Sequence, residues 1–345
     1  MVTTLTHTRT GFDTLGDLLV AVVRAGKGQG VDPRLEAVAG SDEHHGMSIE
    51  RGGATVPDEL LREALTRRGD SDPVLSRVTR IPLSHSFAKV PARVDSNHST
   101  SVSGGLTLAR RPETSAIDTS RMEMEQIGFA SDSLCGAAYV SDELMADSPI
   151  ETLLERAFLD ELNAVLLREF ISGTGVGESL GILSSPALIS IDTTGQTTGT
   201  ITGANLTAMA GRTWHYDREA VWLANPDTRS ILDAAHVTFT SGDRPCVHYE
   251  AGQAYLLGRP LYFSEQCAAL STVGDIICGV WGEYLLGVRQ EGTMESSIHV
   301  RFENFESTLR FTFRGAGAPW WRAQLTPRNG AATLSPFVAL ATRTT

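Results

Sequence analysis

Residues 148–183 read SPIETLLERAFLDELNAVLLREFISGTGVGESLGIL, a capped apolar repeat that runs into a cluster of glycines. Ser148 is placed to cap a helix, Pro149 suits the first helical position, and Glu151 completes a capping box. Gly173 predicts the end of the helix. About 23 residues rising 1.5 Å each would give a rod of roughly 34 Å, which suggests a scaffold element. Apolar residues recur at helical spacing and predict one buried face: Ile150, Leu153, Leu154, Ala157, Phe158, Leu162, Val165, Leu166 and Phe170.

The glycines behind this helix invite comparison with a phosphate-binding loop. A dinucleotide loop needs G-x-G-x-x-G between a strand and a helix. Here the glycines follow a helix, and Glu178 and Leu180 occupy the positions that would complete the pattern. We therefore predict no phosphate site, and we interpret the glycines as a sharp turn.

Length and composition predict a folded chain of about two domains, since 20% of the 345 residues are charged and 41% are hydrophobic. No stretch approaches 18 consecutive apolar residues, so no membrane association is expected. Asp13 and Asp17 precede a short apolar run near the N-terminus, which argues against a signal peptide.

The formal net charge of −12 argues against a nucleic-acid binder. It suits a surface that faces DNA without binding it, and equally an ordinary soluble protein. Lys27 and Lys89 are the only lysines among 29 basic residues, so arginine carries 27 of the positive charges. The four cysteines show no C-x-x-C spacing, and we expect free buried thiols in a reducing compartment.

The search for catalytic chemistry predicts no catalytic, cofactor-binding or metal-binding residue. Asp42–His45 is a cluster of metal-ligand types, but adjacent histidines on a loosely organised arm do not preorganise a tetrahedral site. No G-x-S-x-G elbow is present, and the histidines are scattered. The Trp320-Trp321 pair could be a binding platform, although packing in a core or an interface is the favoured interpretation.

Outward from the helix, residues 1–55 form a glycine-interrupted arm in which only Thr14–Arg24 is predicted helical. A second helix is predicted over Pro57–Arg68. The polar stretch 84–125 predicts a long β-hairpin with a turn at Gly104-Gly105. A lone two-stranded ribbon is marginal in water, so this hairpin needs something to lie on.

Beyond the glycines, strands and short helices are predicted to alternate. Asn225 should cap a helix that Pro226 begins and that runs to about Ala235. Strands are predicted at Val221–Leu223, at Tyr255–Phe263, at Ile276–Trp281, in two parts of Ser297–Phe313 around a turn at Asn304–Ser307, and at Pro336–Leu340.

Several motifs in this order resemble the major capsid proteins of tailed double-stranded DNA bacteriophages, the Hong Kong 97-type (HK97-like) phage capsid family. The motifs are GATVP at 53–57, VSDELMADS at 140–148, FISGTGVGESLGIL at 170–183, WLANP at 222–226, LLGRPLYFS at 256–264 and GDII at 274–277. The resemblance covers about residues 12–340. Ser179-Leu180 departs from it, since family members commonly have a proline there.

The resemblance implies an α+β, HK97-like capsid fold. Its parts would be an N-terminal arm (1–55), a peripheral domain (56–83, 126–185 and 297–345) with a spine helix at 149–171, an extended loop (84–125) and an axial domain (186–296). The residues it marks as structural or assembly positions are Ser148, Pro149, Glu151, Gly173, Gly177, Gly181, Asn225, Pro226, Gly258 and Pro260.

The implied function is that of a structural major capsid protein, not an enzyme and without a cofactor. It would self-assemble into hexamers and pentamers of an icosahedral shell that encloses double-stranded DNA without sequence-specific binding. Implied partners are further copies, a portal protein, and separate scaffolding or decoration proteins. The product would be a virion assembled in the host bacterial cytoplasm. An encapsulin-type compartment, a gene-transfer-agent shell and, more remotely, a soluble α/β enzyme remain alternatives.

Two features of some family members are expected to be missing. Only about 50 residues precede the Val56-Pro57 motif, so we expect no fused scaffolding segment and no large cleavage. Lys89 is the only lysine of the predicted hairpin and lies near its base. We therefore expect no isopeptide crosslinks between subunits.

Overall fold

The computed structural model describes residues 73–343, apart from gaps at 86, 94–95, 100, 109, 111–118, 131, 240–241 and 331. The predicted N-terminal arm, the two helices predicted within residues 14–68 and the acid–histidine cluster at residues 42–45 lie outside the described residues.

The described chain is mixed α and β. Its α-helices are α1 (Asp142–Asp147), α2 (Ile150–Ser172, the long helix), α3 (Gly203–Arg212), α4 (Tyr216–Glu219) and α5 (Arg229–Ala234). The first strands are β1 (Thr79–Pro82), β2 (Phe87–Arg93), β3 (Met124–Ala130), β4 (Ser133–Ser141), β5 (Ile189–Ile191), β6 (Val221–Ala224), β7 (His236–Phe239) and β8 (Gly242–Pro245). The others are β9 (Val247–Glu250), β10 (Gln253–Leu256), β11 (Arg259–Phe263), β12 (Ile276–Gly279), β13 (Tyr284–Arg301), β14 (Glu306–Pro319) and β15 (Phe337–Leu340).

The chain forms two compact units, each assembled from distant segments. Within the described residues the smaller unit holds Leu134–Leu162 and Gly292–Phe313. The larger unit holds the remainder of the described chain. The long helix, β13 and β14 each pass from one unit to the other. The predicted peripheral and axial domains stay a prediction.

In the smaller unit the first half of the long helix packs on the parts of β13 and β14 that lie within Gly292–Phe313. Its buried centre is Val140, Ile150 and Leu309. Phe158 of the helix stacks on Phe311 of β14 with ring centroids 5.6 Å apart. The small centre leaves much of this half of the helix partly exposed.

The larger unit is built on a seven-stranded mixed sheet in the order β5-β15-β12-β6-β11-β10-β9. Its central strands β6, β12 and β15 read VWLA, IICG and FVAL, and all their residues are buried. Continuous apolar runs are typical of strands covered on both faces. The strands predicted at Val221–Leu223, Ile276–Trp281 and Pro336–Leu340 are thereby confirmed within a residue or two.

A four-stranded sheet in the order β1-β13-β14-β4 contains the two longest strands. β1 pairs with β13 in parallel, with Thr79 opposite Leu285. The two strands predicted within Ser297–Phe313 are confirmed, but they extend far beyond that range, from Tyr284 to Pro319. The turn is a 3₁₀ helix at Phe302–Asn304.

One strand prediction and one cysteine prediction were wrong. Tyr255–Phe263 is not one strand, because Leu257 (φ 48°) and Gly258 (φ 80°) form a two-residue turn between β10 and β11. Positive φ at both central residues is the mark of a type I′ hairpin turn. Of the four free thiols three are buried, but Cys135 is exposed because it lies on the outward side of β4.

Burial raises the pKa of the Cys278 thiol to about 12, so this side chain stays neutral inside the sheet. No helix in the described part of the chain is long and apolar enough to cross a membrane.

Candidate functional site

The long helix ends in a loop, residues 173–181, that folds back along its last turn; we call it the glycine loop. The N–H of Gly173 still donates to the carbonyl of Glu169 (2.8 Å). The N–H of Gly181 then donates to the carbonyl of Gly173 (2.9 Å). Thr174 and Leu180 form an antiparallel bridge between them. The loop therefore reverses the chain within nine residues.

The three glycines predicted to matter here act in two ways. A Cβ on Gly173 would lie 2.6 Å from the Glu169 carbonyl oxygen and closer still to that of Ser179. A Cβ on Gly181 would lie 2.7 Å from the Ile171 oxygen. Gly177 instead adopts φ +73°, and a Cβ there would meet the Asp132 Oδ2 at an ordinary contact distance of 3.9 Å. Two glycines thus permit close backbone approach, and the third permits a left-handed turn.

A buried carboxylate holds the glycine loop in place. Glu169 is only 6% exposed, and its Oε2 accepts hydrogen bonds from the Ser179 N–H (3.2 Å) and hydroxyl (2.8 Å). The Ser179 Oγ accepts from the Gly317 N–H (3.0 Å). The Tyr284 hydroxyl donates to the Leu180 carbonyl (2.8 Å). Burial and the nearby Glu169 raise the pKa of Tyr284 well above its usual value, so it remains a donor.

Sequence reasoning missed Glu169 and treated Ser179 only as a departure from the family pattern. The signal was the position of Glu169 on the helix. It shares the buried face with the apolar residues Leu166 and Phe170. An acidic residue there requires a partner, and a serine ten residues later provides one.

The start of the long helix differs from the predicted capping box. The first helical residue is Ile150, and the carbonyl of Pro149 accepts from the Leu153 N–H (3.3 Å), so Pro149 precedes the helix rather than opening it. The Ser148 hydroxyl donates to the Leu144 carbonyl (3.0 Å) and closes α1. Glu151 is exposed in the first turn. Because α1 lies immediately upstream, Ser148 is the C-cap of that helix.

Asn225 and Pro226 form a capped turn after β6. The Asn225 side-chain oxygen accepts from the Asp227 N–H (3.0 Å), and its amide donates to the Cys267 carbonyl (3.1 Å). A 3₁₀ turn at Pro226–Thr228 leads directly into α5, which ends at Ala234. The predicted capped helix is confirmed, with a tighter first turn.

Gly258 and Pro260 flank an arginine that the sequence did not single out. Arg259 donates to the carbonyls of Ala220 (3.1 Å), Asp217 (3.0 Å) and Arg218 (2.6 Å). Its guanidinium thereby satisfies the end of α4, where carbonyls lack helical partners. The structure does not bring Gly258 and Asn225 together, since they lie at opposite ends of the parallel β6–β11 pair.

The predicted hairpin has a well-anchored base. β2 and β3 pair antiparallel, with Lys89 opposite Gly128. Ile127 and Phe129 are buried in a cluster that includes Leu285 and Ala316. Beyond β2, the His98 N–H donates to the Thr326 carbonyl (2.9 Å). The base is thus part of the larger unit and does not stand alone.

The Gly104-Gly105 turn is present, but it is not the tip. It closes a local bridge between Ser103 and Leu106, and both glycines have positive φ. The carbonyl of Gly104 accepts from the Glu123 N–H (2.9 Å) on the returning strand. The turn therefore lies within the first arm of the hairpin, and the prediction that Gly104-Gly105 joins the two arms was wrong.

The described end of the hairpin, residues 101–108 and 119–124, exposes apolar side chains; we call it the distal hairpin. Leu108 is fully exposed, and half or nearly half of Val102, Leu106, Met122 and Met124 is exposed. Several of its polar groups bond internally: the Ser101 hydroxyl donates to the Leu106 carbonyl (2.7 Å), and the Thr107 N–H donates to the Ser120 hydroxyl (3.1 Å). Such a patch is typical of a surface that another molecule covers.

A second exposed apolar patch lies in the smaller unit, at the turn between β13 and β14. Phe302 and Phe305 are 71% and 74% exposed. The turn is rigid, because the Phe305 carbonyl accepts from the Asp142 N–H (2.9 Å) and Arg301 pairs with the buried Glu306 (3.0 Å) while lying over the Tyr139 ring. Contacts within the smaller unit thus hold this turn while its two phenylalanine rings stay exposed.

Comparisons with known proteins agree with this architecture. The model of the phage capsid family matches residues 52–324. No curated protein matches the sequence.

Solved structures share the fold at low identity. The capsid of a native GTA particle is 15% identical, with 94% of this chain and 99% of that chain covered and a TM-score of 0.59. A chain of Microbacterium phage Oxtober96 is 15% identical, with 92% and 98% covered and a TM-score of 0.55. The SrpI encapsulin of Synechococcus elongatus PCC 7942 is 12% identical, with 84% and 98% covered and a TM-score of 0.52.

The family match spans most of the chain, and its members are structural proteins rather than enzymes. The α+β, HK97-like fold expected from the motifs is confirmed. The chain belongs to the phage capsid family, as a shell-forming major capsid protein that assembles from multiple copies into a virion component.

Proposed function

We propose that copies of this chain form hexamers and pentamers that tile a closed icosahedral shell around double-stranded phage DNA. The observation that carries the proposal is the contrast within the hairpin. Its base is buried in the subunit, whereas Leu108 and Met124 of its distal part face solvent. Covering that apolar surface on a neighbouring copy would stabilise assembly through the hydrophobic effect.

The parts of the chain take the roles that the resemblance implies. Residues 1–55 are the arm that crosses a neighbour, and residues 84–125 are the extended loop over the next subunit. Residues 56–83, 126–185 and 297–345 form the peripheral domain. Residues 186–296 form the axial domain. Contacts around each ring join different surfaces of successive copies, which closes rings rather than pairs.

The proposed partners follow from a shell that holds DNA. A net charge of −12 supports a lining that repels the packaged duplex and leaves it mobile. A portal protein would admit the DNA, and separate scaffolding or decoration proteins would assist assembly in the host bacterial cytoplasm. The mature particle would be held by non-covalent contacts, and the subunit would carry no catalytic role.

The contents of purified particles test this function. Particles are treated with nuclease, and the protected material is analysed by gel electrophoresis and mass spectrometry. We expect protected double-stranded DNA of uniform genomic length in shells with tails. Protected protein cargo without DNA would contradict the proposal and favour an encapsulin compartment. Short random host DNA would contradict the phage function and favour a gene-transfer agent (GTA).

A further inference from the structure

The larger unit contains an open cleft of about 950 Å³ beside the base of the hairpin, which we call the tryptophan cleft. Trp214, Trp320 and Trp321 line it together with His98, Glu125 and Glu283. The walls come from the segment after β2, the end of α3, and the chain that follows β14. Neither the family match nor the proposed function assigns it a role.

The chain's five tryptophans divide sharply between this cleft and the core. Trp222 and Trp281 are almost completely buried. The three cleft tryptophans all keep part of their surface exposed. Trp214 and Trp321 lie with ring centroids 5.7 Å apart, and His98 meets Trp214 edge-on at 5.9 Å. Large aromatic faces grouped and left partly open are typical of binding surfaces.

Two carboxylates and one guanidinium line the cleft, namely Glu125, Glu283 and Arg322, which leaves it one formal negative charge. Glu283 accepts a hydrogen bond from the Trp321 indole N–H (3.0 Å), which orients the carboxylate without neutralising it. Partial burial of Glu283 and the nearby Glu219 raise its pKa, as expected for a carboxylate that lacks full solvation. Glu125 pairs with Arg322 (3.1 Å) at the exposed rim. A cation would therefore stabilise Glu283 in its charged form.

Aromatic faces next to a carboxylate favour a flat, delocalised cation. A guanidinium stacks on indole rings and bonds a carboxylate through its N–H groups, and it sheds its hydration more readily than an ammonium. This chain supplies arginine as 27 of its 29 basic residues, against 41 acidic ones. Arginine is therefore the cation that a second copy has most often to offer.

We propose that the tryptophan cleft binds an arginine side chain of a second copy, stacked on an exposed indole face and bonded to the Glu283 carboxylate. The proposal rests on the assembly of multiple copies and adds a specific contact to it. The cleft would be vacant of this side chain in the isolated subunit and covered in the shell.

Tryptophan accessibility tests whether a second copy covers the cleft. Acrylamide quenching of tryptophan fluorescence is measured on the full-length chain before and after assembly. Trp222 and Trp281 are buried in both states, so the accessible fraction reports on the cleft. We expect that fraction to fall on assembly. An unchanged accessible fraction in fully formed shells would overturn the proposal and leave the capsid function standing.

Charge removal tests whether the occupant is a cation. Glu283→Gln keeps an oxygen that accepts from Trp321 but removes the charge, whereas Glu265→Gln removes an exposed carboxylate elsewhere on the same unit. We expect Glu283→Gln to weaken subunit association about tenfold at low salt and the control to match the wild type. Quenching and circular dichroism of the unassembled variants verify that both fold.

The combined outcomes separate the possibilities. A cleft that is covered on assembly but insensitive to Glu283→Gln would mean an apolar occupant and would overturn the arginine assignment. Failure of the wild-type chain to form shells under any condition would count against the proposed function rather than against the cleft alone. A density map of the shell with a guanidinium stacked on an indole ring of the cleft and bonded to Glu283 would establish the contact.

Discussion

The glycine loop and the distal hairpin both belong to the larger unit, yet their side chains differ in burial. Polar side chains around the loop are hydrogen-bonded within the subunit, whereas apolar side chains of the distal hairpin face solvent. Around the loop, the side chains of Glu169, Ser179 and Tyr284 all form hydrogen bonds within the subunit. In the distal hairpin several polar groups bond locally, as Ser101 does, while Leu108 and Met124 stay exposed. The difference indicates that the glycine loop stabilises the fold and that the distal hairpin is a surface for another molecule to cover. Substitutions should therefore separate folding from assembly.

The largest effect is expected from Gly173→Ala. The added Cβ would overlap the backbone carbonyls of Ser179 and Glu169, which cannot move without displacing the helix end. We expect a loss of at least about 3 kcal/mol in the free energy of unfolding. Urea unfolding of the unassembled chain measures it.

Gly211→Ala is the matched control for this substitution. Gly211 is a glycine of α3 with open space around the added Cβ. Alanine there should leave stability unchanged or raise it by up to about 1 kcal/mol, because glycine disfavours helix. Equal destabilisation by the two substitutions would show that the close approach at Gly173 is unimportant.

The next effect concerns the buried carboxylate. Glu169→Leu leaves the Ser179 N–H and hydroxyl without their acceptor, and we expect a cost of about 3 kcal/mol. Glu169→Gln retains one carbonyl oxygen and should cost about 1 kcal/mol. The comparison is made by urea unfolding. If both variants were as stable as the wild type, the glycine loop would not depend on this contact.

A smaller effect, confined to assembly, is expected in the distal hairpin. Leu108→Ser removes a fully exposed leucine, so unfolding of the unassembled chain should change by less than about 0.5 kcal/mol. Subunit association should weaken about tenfold, since burial of a leucine contributes roughly 1.5–3 kcal/mol. Light scattering during assembly measures the second quantity. Unchanged assembly with reduced stability would reverse the roles assigned to the two regions.

The smallest effect is expected at Lys89. This residue lies in β2 at the anchored base of the hairpin, opposite Gly128, and not on its distal part. Wild-type particles boiled in detergent should give a single band on a denaturing gel, and Lys89→Arg should give the same pattern. A ladder in the wild type that disappears in the variant would reveal covalent crosslinks through this lysine.

The long helix, the buried central strands and the capped turn at Asn225 were predictable, because each depends on a local pattern. Helical spacing predicted both ends of the long helix within one residue, and continuous apolar runs predicted the central strands. These signals lie within a few residues of the elements they specify, so neighbours in the sequence carry them.

Contacts between distant segments were not predictable in the same way. The partner of Gly317 is Ser179, 138 positions away, and no local pattern links them. The turn at Leu257-Gly258 interrupts a segment that was predicted as one strand. It depends on a positive φ at Leu257, which the sequence pattern of a leucine does not indicate. The tryptophan cleft likewise unites Trp214 with Trp321, which only the folded chain brings close.

Methionine oxidation measures the central claim directly. Met122 and Met124 of the distal hairpin are 44% and 55% exposed in the subunit, whereas Met209 is fully buried in the core and serves as an internal control. Full-length chain is treated briefly with peroxide before and after assembly, and sulfoxide at each methionine is quantified by mass spectrometry. We predict rapid oxidation of Met122 and Met124 in the unassembled chain and strong protection in shells, with Met209 protected in both. Equal oxidation of Met122 and Met124 in the two states would contradict the claim that a neighbouring copy covers the distal hairpin.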